Sequence, residues 1–258
     1  VKLAVVVPVL NEGAGIGATL SGLQAMRARG VRIVVVDGGS SDDTAVQARD
    51  FADDVIGSTR GRARQMNAGA RHIGMAADGL LFLHADTRLP PQADAAVVAA
   101  LRAGARWGRF DARIDGAAPL LAMVGWLMNW RSRLTGICTG DQAIFVERGL
   151  FEALGGWPDQ PLMEDIEFSR RARRLASPAA LRPAVVTSGR RWEQGGVWRT
   201  IALMWSLRWR YFRGVDPAEL AREYRDAREY QDAREYRDAG AGQDTRATRD
   251  ARPRRDAH

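Results

Sequence analysis

Three hydrophobic runs constrain the architecture most. Leu3–Val7, Val31–Val36 and Leu80–Leu83 show no polar alternation, and helical stretches at Ile16–Arg29, Asp43–Asp50 and Arg62–Ala77 follow or separate them. A strand half-exposed to water alternates apolar and polar residues, whereas a strand apolar along its length is covered on both faces. With Val55-Ile56 as a short further strand, the chain up to about Pro90 reads as a parallel sheet flanked by helices. Ligands of such sheets bind beyond the carboxyl ends of the strands. The polar residues after Val7, Val36 and Leu83 are therefore the first candidates: Asn11-Glu12, Asp37 and His84-Ala85-Asp86.

The second half is less regular. Ala93–Arg102, Leu120–Leu134 and Met163–Leu175 read as helices, and Trp107–Asp115, Ala143–Val146 and Pro183–Thr187 as strands. Val197–Phe212 is a basic, aromatic helix. The composition changes at Asp216, where a hexapeptide repeat (EYRDAR, EYQDAR, EYRDA) begins seven residues on. Six residues advance a helix by about 600°. Tyr224, Tyr230 and Tyr236 therefore spread round the helix and make no apolar stripe. The expected organisation is one α/β domain over 1–215 and a charged tail over 216–258, helical and then disordered from Gly240.

Charge narrows the partners. The net charge is +7, carried almost wholly by arginine, since Lys2 is the only lysine. Guanidinium suits phosphate, although a GC-rich genome gives the same bias. The tail holds equal numbers of arginines and acidic residues from 219 on, so the excess charge lies in the folded part. No nucleic-acid-binding motif accompanies it, which argues against nucleic acid. Cys138 is the only cysteine, which leaves no intramolecular disulfide and fits a reducing, cytoplasmic setting. The start of the chain lacks the regions of a signal peptide. The longest uncharged stretch, Gly116 to Trp130, is short of the roughly 20 residues that span a bilayer.

Several motifs allow chemistry, each with a plainer structural reading. Asp37-Gly38-Gly39-Ser40-Ser41-Asp42-Asp43-Thr44 closes the second strand. Its carboxylate at Asp37 suits a base or ribose, and the rest suits a strand-to-helix turn. Gly61-Arg62-Ala63-Arg64 places cations at a helix start, against the macrodipole, which suggests an anion nearby; a solvated basic face is the alternative. Glu164-Asp165 places carboxylates at another helix start, as dipole partners or as a general base. Gly140-Asp141-Gln142 is a polar turn that could meet a sugar. Trp198, Trp205 and Trp209 share one face of the basic helix, which favours packing in a core or dimer over a membrane surface.

The order of these motifs is more specific than any one of them. Pro8-Val9-Leu10-Asn11-Glu12, Asp37 to Thr44, His84-Ala85-Asp86, Gly140-Asp141-Gln142 and Glu164-Asp165 resemble the family 2 glycosyltransferases of the GT-A fold, from about Leu3 to Phe212. Within that family, His84 to Pro90 and Gly61 to Gly69 look most like a small bacterial subgroup labelled arsenosugar-biosynthesis glycosyltransferases.

The resemblance implies inverting transfer of a sugar from a nucleotide-sugar, with UDP the default nucleotide. It places Pro8, Asn11, Glu12, Asp37, Gly38, Arg62, Arg64, Ala85 and Asp86 around the donor. Asp86 matches the last aspartate of the family's Asp-x-Asp motif, which holds Mg²⁺ or Mn²⁺ on the diphosphate. Asp165, beside Glu164, matches the catalytic base. Gly140, Asp141, Gln142 and Trp192 fall on the acceptor side, Trp192 within Arg190-Arg191-Trp192, where relatives carry a basic-aromatic motif.

His84 departs from the pattern, since an aspartate is commoner there. It is a metal ligand, a support behind one, or a donor to the pyrophosphate. The acceptor is a small molecule or a lipid-linked group, the latter met at the inner membrane face, and oligomerisation is open. Two rivals stand beside this reading. A nucleotidyltransferase would need a Gly-rich loop with Arg and Lys where Pro8-Val9-Leu10-Asn11-Glu12-Gly13 stands, and a non-catalytic nucleotide-sugar sensor would not need every position filled.

Overall fold

The computed structural model describes residues 1–227, apart from the side chains at positions 191, 193 and 194. These residues fall into two compact units, divided after Gly189. The sequence reading set its division at 215/216 instead. Most of the hexapeptide repeat, and the disordered tail expected from Gly240, lie outside the described residues.

The first unit holds β1 (Leu3–Val9), α1 (Gly13–Ser21), α2 (Gln24–Ala28), β2 (Arg32–Asp37), α3 (Thr44–Ala48) and β3 (Asp54–Gly57). Then follow α4 (Arg62–Ile73), β4 (Gly79–Phe82), β5 (Thr87–Arg88), α5 (Ala93–Arg102), β6 (Trp107–Asp115) and α6 (Leu120–Thr135). The unit closes with β7 (Phe145–Glu147), α7 (Arg148–Ala153), α8 (Glu164–Ala172) and β8 (Ala179–Ser188). The strands form one eight-stranded sheet in the order β3-β2-β1-β4-β7-β6-β8-β5. Pairing is parallel except for β4·β7, β6·β7 and β5·β8, so the mixed sheet is mostly parallel, as expected.

The period of two along β1 accounts for the apolar runs. Leu3, Val5, Val7 and Val9 enter a core shared with Ile33, Val35, Ile16 and Leu20, while Ala4 and Val6 enter the opposite one with Val34, Val36 and Met66. Each strand must therefore be apolar on both faces. Helix α4 packs closely on the second face. A Cβ on Gly69 would lie 2.5 Å from Val6 Cγ1 and 3.0 Å from Val36 Cγ2, so only glycine lets the helix approach this far.

Four elements differ from the sequence reading. Ile16–Arg29 is two helices, because a turn at Gly22-Leu23 interrupts it and buries Leu23. Thr87-Arg88, which no strand pattern in the sequence marks, is edge strand β5, which pairs with Thr187 and Val186. Helix α7 was not anticipated; at six residues it is too short for a periodic signal. Strand β8 is longer than Pro183–Thr187 and begins at Ala179, with a bulge opposite Phe110-Asp111.

The second unit, as far as it is described, contains α9 (Arg190–Gly195), α10 (Val197–Phe212) and a helix over 217–227. Arg210 ties the last two together through Glu219 (2.7 Å) and Glu223. Trp198, Trp205 and Trp209 are 70%, 70% and 61% exposed, so their shared face is not packed in a core among the described residues of this unit.

Candidate active site

The ends of β1 and β2 are clamped to each other. The Asn11 N–H donates to Ser40 Oγ (2.9 Å), and the Ser41 N–H donates to Asn11 Oδ1 (2.8 Å). Asn11 takes a positive φ of 54° to do this, a conformation that asparagine tolerates. The N–H groups of Glu12 and Gly13 donate to Thr44 Oγ1 (2.8 Å) and Asp42 Oδ2 (3.0 Å). Asp37 Oδ1 accepts from both the N–H and the hydroxyl of Ser40 (3.0 and 2.6 Å), while Oδ2 accepts from no described residue. Gly38 closes the turn by donating to Val9 O (3.0 Å). Pro8 is buried inside β1, opposite Val36, so it shapes the strand end from within.

Helix α4 welds this edge to α8. Gln65 is buried, and its Nε2 donates to Val9 O (2.8 Å) and Val36 O (2.9 Å), bridging the ends of β1 and β2. Arg62 pairs with Glu164 (3.0 Å), and Arg64 with Asp159 (2.8 Å). The anion expected beside the cationic helix start is thus supplied, in the free protein, by these two carboxylates. The Arg62 side chain is 47% exposed, whereas that of Glu164 is 4% exposed. Asn67 clamps Trp157 at both backbone groups: Trp157 N–H to Asn67 Oδ1 (2.9 Å), and Asn67 Nδ2 to Trp157 O (2.8 Å).

His84, Gly140, Asp141 and Asp165 converge from three separate segments. His84 follows β4, and its Nδ1 lies 3.3 Å from Asp141 Oδ1. The Gly140 N–H donates to Asp165 Oδ2 (2.9 Å), and Asp165 Oδ1 accepts from its neighbour Ile166 (2.8 Å). A Cβ on Gly140 would lie 2.3 Å from both Cε1 and Nε2 of His84, so the imidazole rests on bare backbone. His84, Trp157, Glu164 and Asp165 line a small cavity that Phe82 and Met66 help to close.

The remaining predicted residues are more dispersed. Ala85 is buried, and its carbonyl accepts from Thr19 Oγ1 (2.5 Å). The Asp86 carboxylate makes one long contact, accepting from Thr87 Oγ1 at 3.4 Å, while its backbone carbonyl accepts from the Ser188 N–H (3.2 Å). Gln142 is a correction: it is fully buried, its Oε1 accepts from Thr139 N–H (3.1 Å), and its Nε2 donates to Asn129 Oδ1 (3.3 Å). Both ends of the amide are used internally, so it is not available to an acceptor. Trp192 lies on α9 of the second unit.

Among the described residues no three His, Cys, Asp or Glu side chains cluster as a self-sufficient metal site. One weakly engaged carboxylate at Asp86 still fits a hard cation such as Mg²⁺, which takes one or two protein carboxylates and completes its shell with phosphate oxygens and water.

Two further ionisable groups near the site are structural. Arg170 and Arg171 grip Glu167 on α8 (2.7 Å each) and hold its carboxyl down to about 2. Burial pushes the Cys138 thiol up to about 11, which leaves it unreactive as a nucleophile.

Sequence reasoning singled out neither Gln65, Asn67 nor Trp157 as an individual. Gln65 and Asn67 stood inside the quoted Gly61–Gly69 motif, and Trp157 after Gly155-Gly156, but only the fold reveals their partners.

The model of the glycosyl transferase family 2 matches residues 4–135, just over half of the chain. No curated protein matches it. Among solved structures, S. aureus TarS 1–349 superposes with a TM-score of 0.57 at 16% identity, covering 73% of this chain and 61% of that one. The mannosyltransferase PcManGT from Pyrobaculum calidifontis, in complex with GDP-Man and Mn²⁺, gives 0.54 at 24% identity, covering 72% and 56%. TarS 1–349 in complex with UDP-GlcNAc gives 0.57 at 16% identity, covering 73% and 58%. The chain thus spans about three fifths of the length of these proteins, and the likeness is one of fold.

Proposed function

The chain belongs to glycosyl transferase family 2 and has the GT-A fold, and from that premise we propose that it is an inverting glycosyltransferase that uses a nucleotide-sugar, with UDP as the nucleotide. The observation that carries this reading is the convergence of His84, Gly140 and Asp165 around one cavity following β4, with Asp141 beside the imidazole. TarS with UDP-GlcNAc and PcManGT with GDP-Man and Mn²⁺ are consistent with it. The finer subgroup, carried by His84 to Pro90 and Gly61 to Gly69, is part of the proposal.

In this mechanism Asp37 Oδ2 accepts from the base, and Asn11 and Glu12 border the nucleoside with Gly38. Arg62 moves from Glu164 toward the diphosphate, with Arg64 beside it, and offsets the charge that grows as the nucleoside diphosphate departs. The Gly140 N–H fixes one oxygen of Asp165, and the carboxylate takes the proton of the acceptor hydroxyl. The acceptor oxygen bonds to the anomeric carbon from the face opposite the leaving group, so the centre inverts. Asp86 would hold a divalent cation, which would supply Lewis-acid stabilisation of the leaving group. His84, braced by Asp141, keeps Nε2 for the diphosphate or that cation. Gly140 and Asp141 are the acceptor-side contacts within the first unit.

The exposed aromatic row of α10 supports one extension, contact with an anionic bilayer that presents a lipid-linked acceptor. Trp198, Trp205, Trp209 and Phe212 are exposed on α10. Arg199 and Arg213 are exposed beside this row, and Arg213 lies over the Trp209 ring at 4.8 Å. Among the described residues no helix is long and apolar enough to cross a membrane.

Incubation with a panel of nucleotide-sugars and Mn²⁺ tests the reading. Donor hydrolysis or acceptor-dependent release of nucleoside diphosphate is expected. Pyrophosphate release from a nucleoside triphosphate and a sugar phosphate would instead identify a nucleotidyltransferase, and binding without turnover a sensor.

A further inference from the structure

Among the described residues, Trp157 is a buried donor without an acceptor. Its side chain is held from three sides: the backbone by Asn67, one ring face by stacking on Phe168 (4.3 Å between centroids, 25°), and a perpendicular contact with Phe82 (5.1 Å, 89°). The residue is 2% exposed, yet no described group accepts from its indole Nε1. Neither ring neighbour offers an oxygen or nitrogen. A buried Trp N–H ordinarily finds a partner, so a donor that no described protein group satisfies is unusual. Trp157 also lines the cavity of about 10 Å³ shared with Asp165, Glu164 and His84, which has the room of a single water oxygen.

We infer that Trp157 Nε1–H is the second anchor of the nucleophilic oxygen, the acceptor hydroxyl or, in its absence, one water. This rests on the proposed transferase reading with Asp165 as base. The geometry of the nucleophile explains the need for two anchors. Its proton is directed at Asp165, one lone pair must face the anomeric carbon, and the other is left to accept from a fixed donor. Holding both ends aligns the attack before reaction. With water as the nucleophile, its oxygen bonds to the anomeric carbon, its proton passes to Asp165, and the bond from that carbon to the diphosphate breaks. The products are free sugar and nucleoside diphosphate.

Acceptor-free hydrolysis therefore gives a test without knowledge of the acceptor. UDP-GlcNAc and GDP-mannose, each with Mn²⁺, are assayed for binding by calorimetry and for sugar release with wild-type, Trp157→Phe and Asp165→Asn proteins. Phe keeps the ring stack and removes the donor. The expected result is an unchanged donor Kd and a fall in kcat of roughly 10- to 100-fold for the Phe variant. Donor binding without wild-type hydrolysis, or a Phe variant at the wild-type kcat, overturns the inference.

If the Phe variant does not fold, the wild type carries the test. In ¹⁵N-labelled protein with bound donor, the Trp157 indole proton should show cross-relaxation to a bound water, and its absence overturns the inference. Failure of the transferase reading is distinguishable: no nucleotide-sugar binds, and the inference falls with it.

Discussion

Gly140 donates its backbone N–H to Asp165 Oδ2 at 2.9 Å, joining the turn after α6 to the start of α8. That bond orients the carboxylate without using a side chain. An Asp165→Asn protein can keep it through the amide oxygen while losing the ability to take a proton. It should fold and bind nucleotide-sugar as the wild type does, and its turnover should fall by about 10²- to 10⁴-fold. Calorimetry of donor binding and assay of nucleoside diphosphate release check the two halves. Transfer at the wild-type rate removes Asp165 as the base.

His84 occupies the space a side chain at position 140 would need. Gly140→Ala places a methyl 2.3 Å from the imidazole and must displace either the ring or the turn. Overpacking of this kind costs about 1–3 kcal/mol. His84→Ala vacates the space, so the double variant should lose less stability than the sum of the single ones. Urea denaturation of the four proteins measures the coupling; strict additivity would mean that the two residues do not meet.

The sheet was legible because burial on both faces leaves a one-dimensional trace: Leu3–Val7 has no polar alternation, and β1 indeed divides its side chains between two cores. The positions just beyond the strands, Asn11, Asp37 and His84, were legible for the same topological reason. The edge strand at Thr87-Arg88 was not, since two residues carry no period and their strand character comes from pairing with Thr187 and Val186. Gln142 looked like a polar turn residue because its sequence neighbours are polar; its burial depends on Asn129, thirteen positions away. Nothing in the sequence around Trp157 marks it as a site residue. It is set apart by an indole Nε1 that no described residue accepts from.

Arg62 and Glu164 form a pair with one partner in solvent and one buried. Removing the arginine leaves an unpaired carboxylate at the start of α8, whereas Glu164→Gln leaves a neutral amide there. Arg62→Ala should therefore destabilise the protein more than Glu164→Gln, by about 1–2 kcal/mol given the exposure of the guanidinium. It should also weaken UDP binding, because the cation proposed for the diphosphate is gone. Thermal melts and UDP titration check both effects; equal UDP affinity in the two variants would place Arg62 outside the donor site.

Glu167 makes acid stability depend on α8. Arg170 and Arg171 hold its carboxyl down to about 2, below the usual range near 4.3. A depressed carboxyl stabilises the fold fully above the unfolded pKa and loses that contribution as pH falls from about 4.5 to 2. Because both guanidiniums are partly exposed, the contribution is put at about 1–2 kcal/mol. Urea midpoints at pH 7, 4 and 2.5 should show the wild type more stable than Glu167→Gln at pH 7, with the difference shrinking through that window. A difference independent of pH would assign the loss to packing instead.

The aromatic face of α10 makes a prediction about surfaces. Trp198, Trp205 and Trp209 stand exposed on one side of the helix, with Arg199 and Arg213 nearby. An anionic bilayer satisfies both chemistries, since the rings enter the headgroup boundary and the guanidiniums meet lipid phosphate. The protein should cosediment with vesicles containing anionic lipid and not with neutral ones, and salt should release it. Arg199→Gln should weaken partitioning by about 1 kcal/mol, and Trp205→Ser with Trp209→Ser should weaken it further even at low salt. A second copy of the chain is the competing cover for this face. Indifference to anionic vesicles, together with a sedimentation mass of a dimer that the tryptophan substitutions dissociate, would assign the face to self-association.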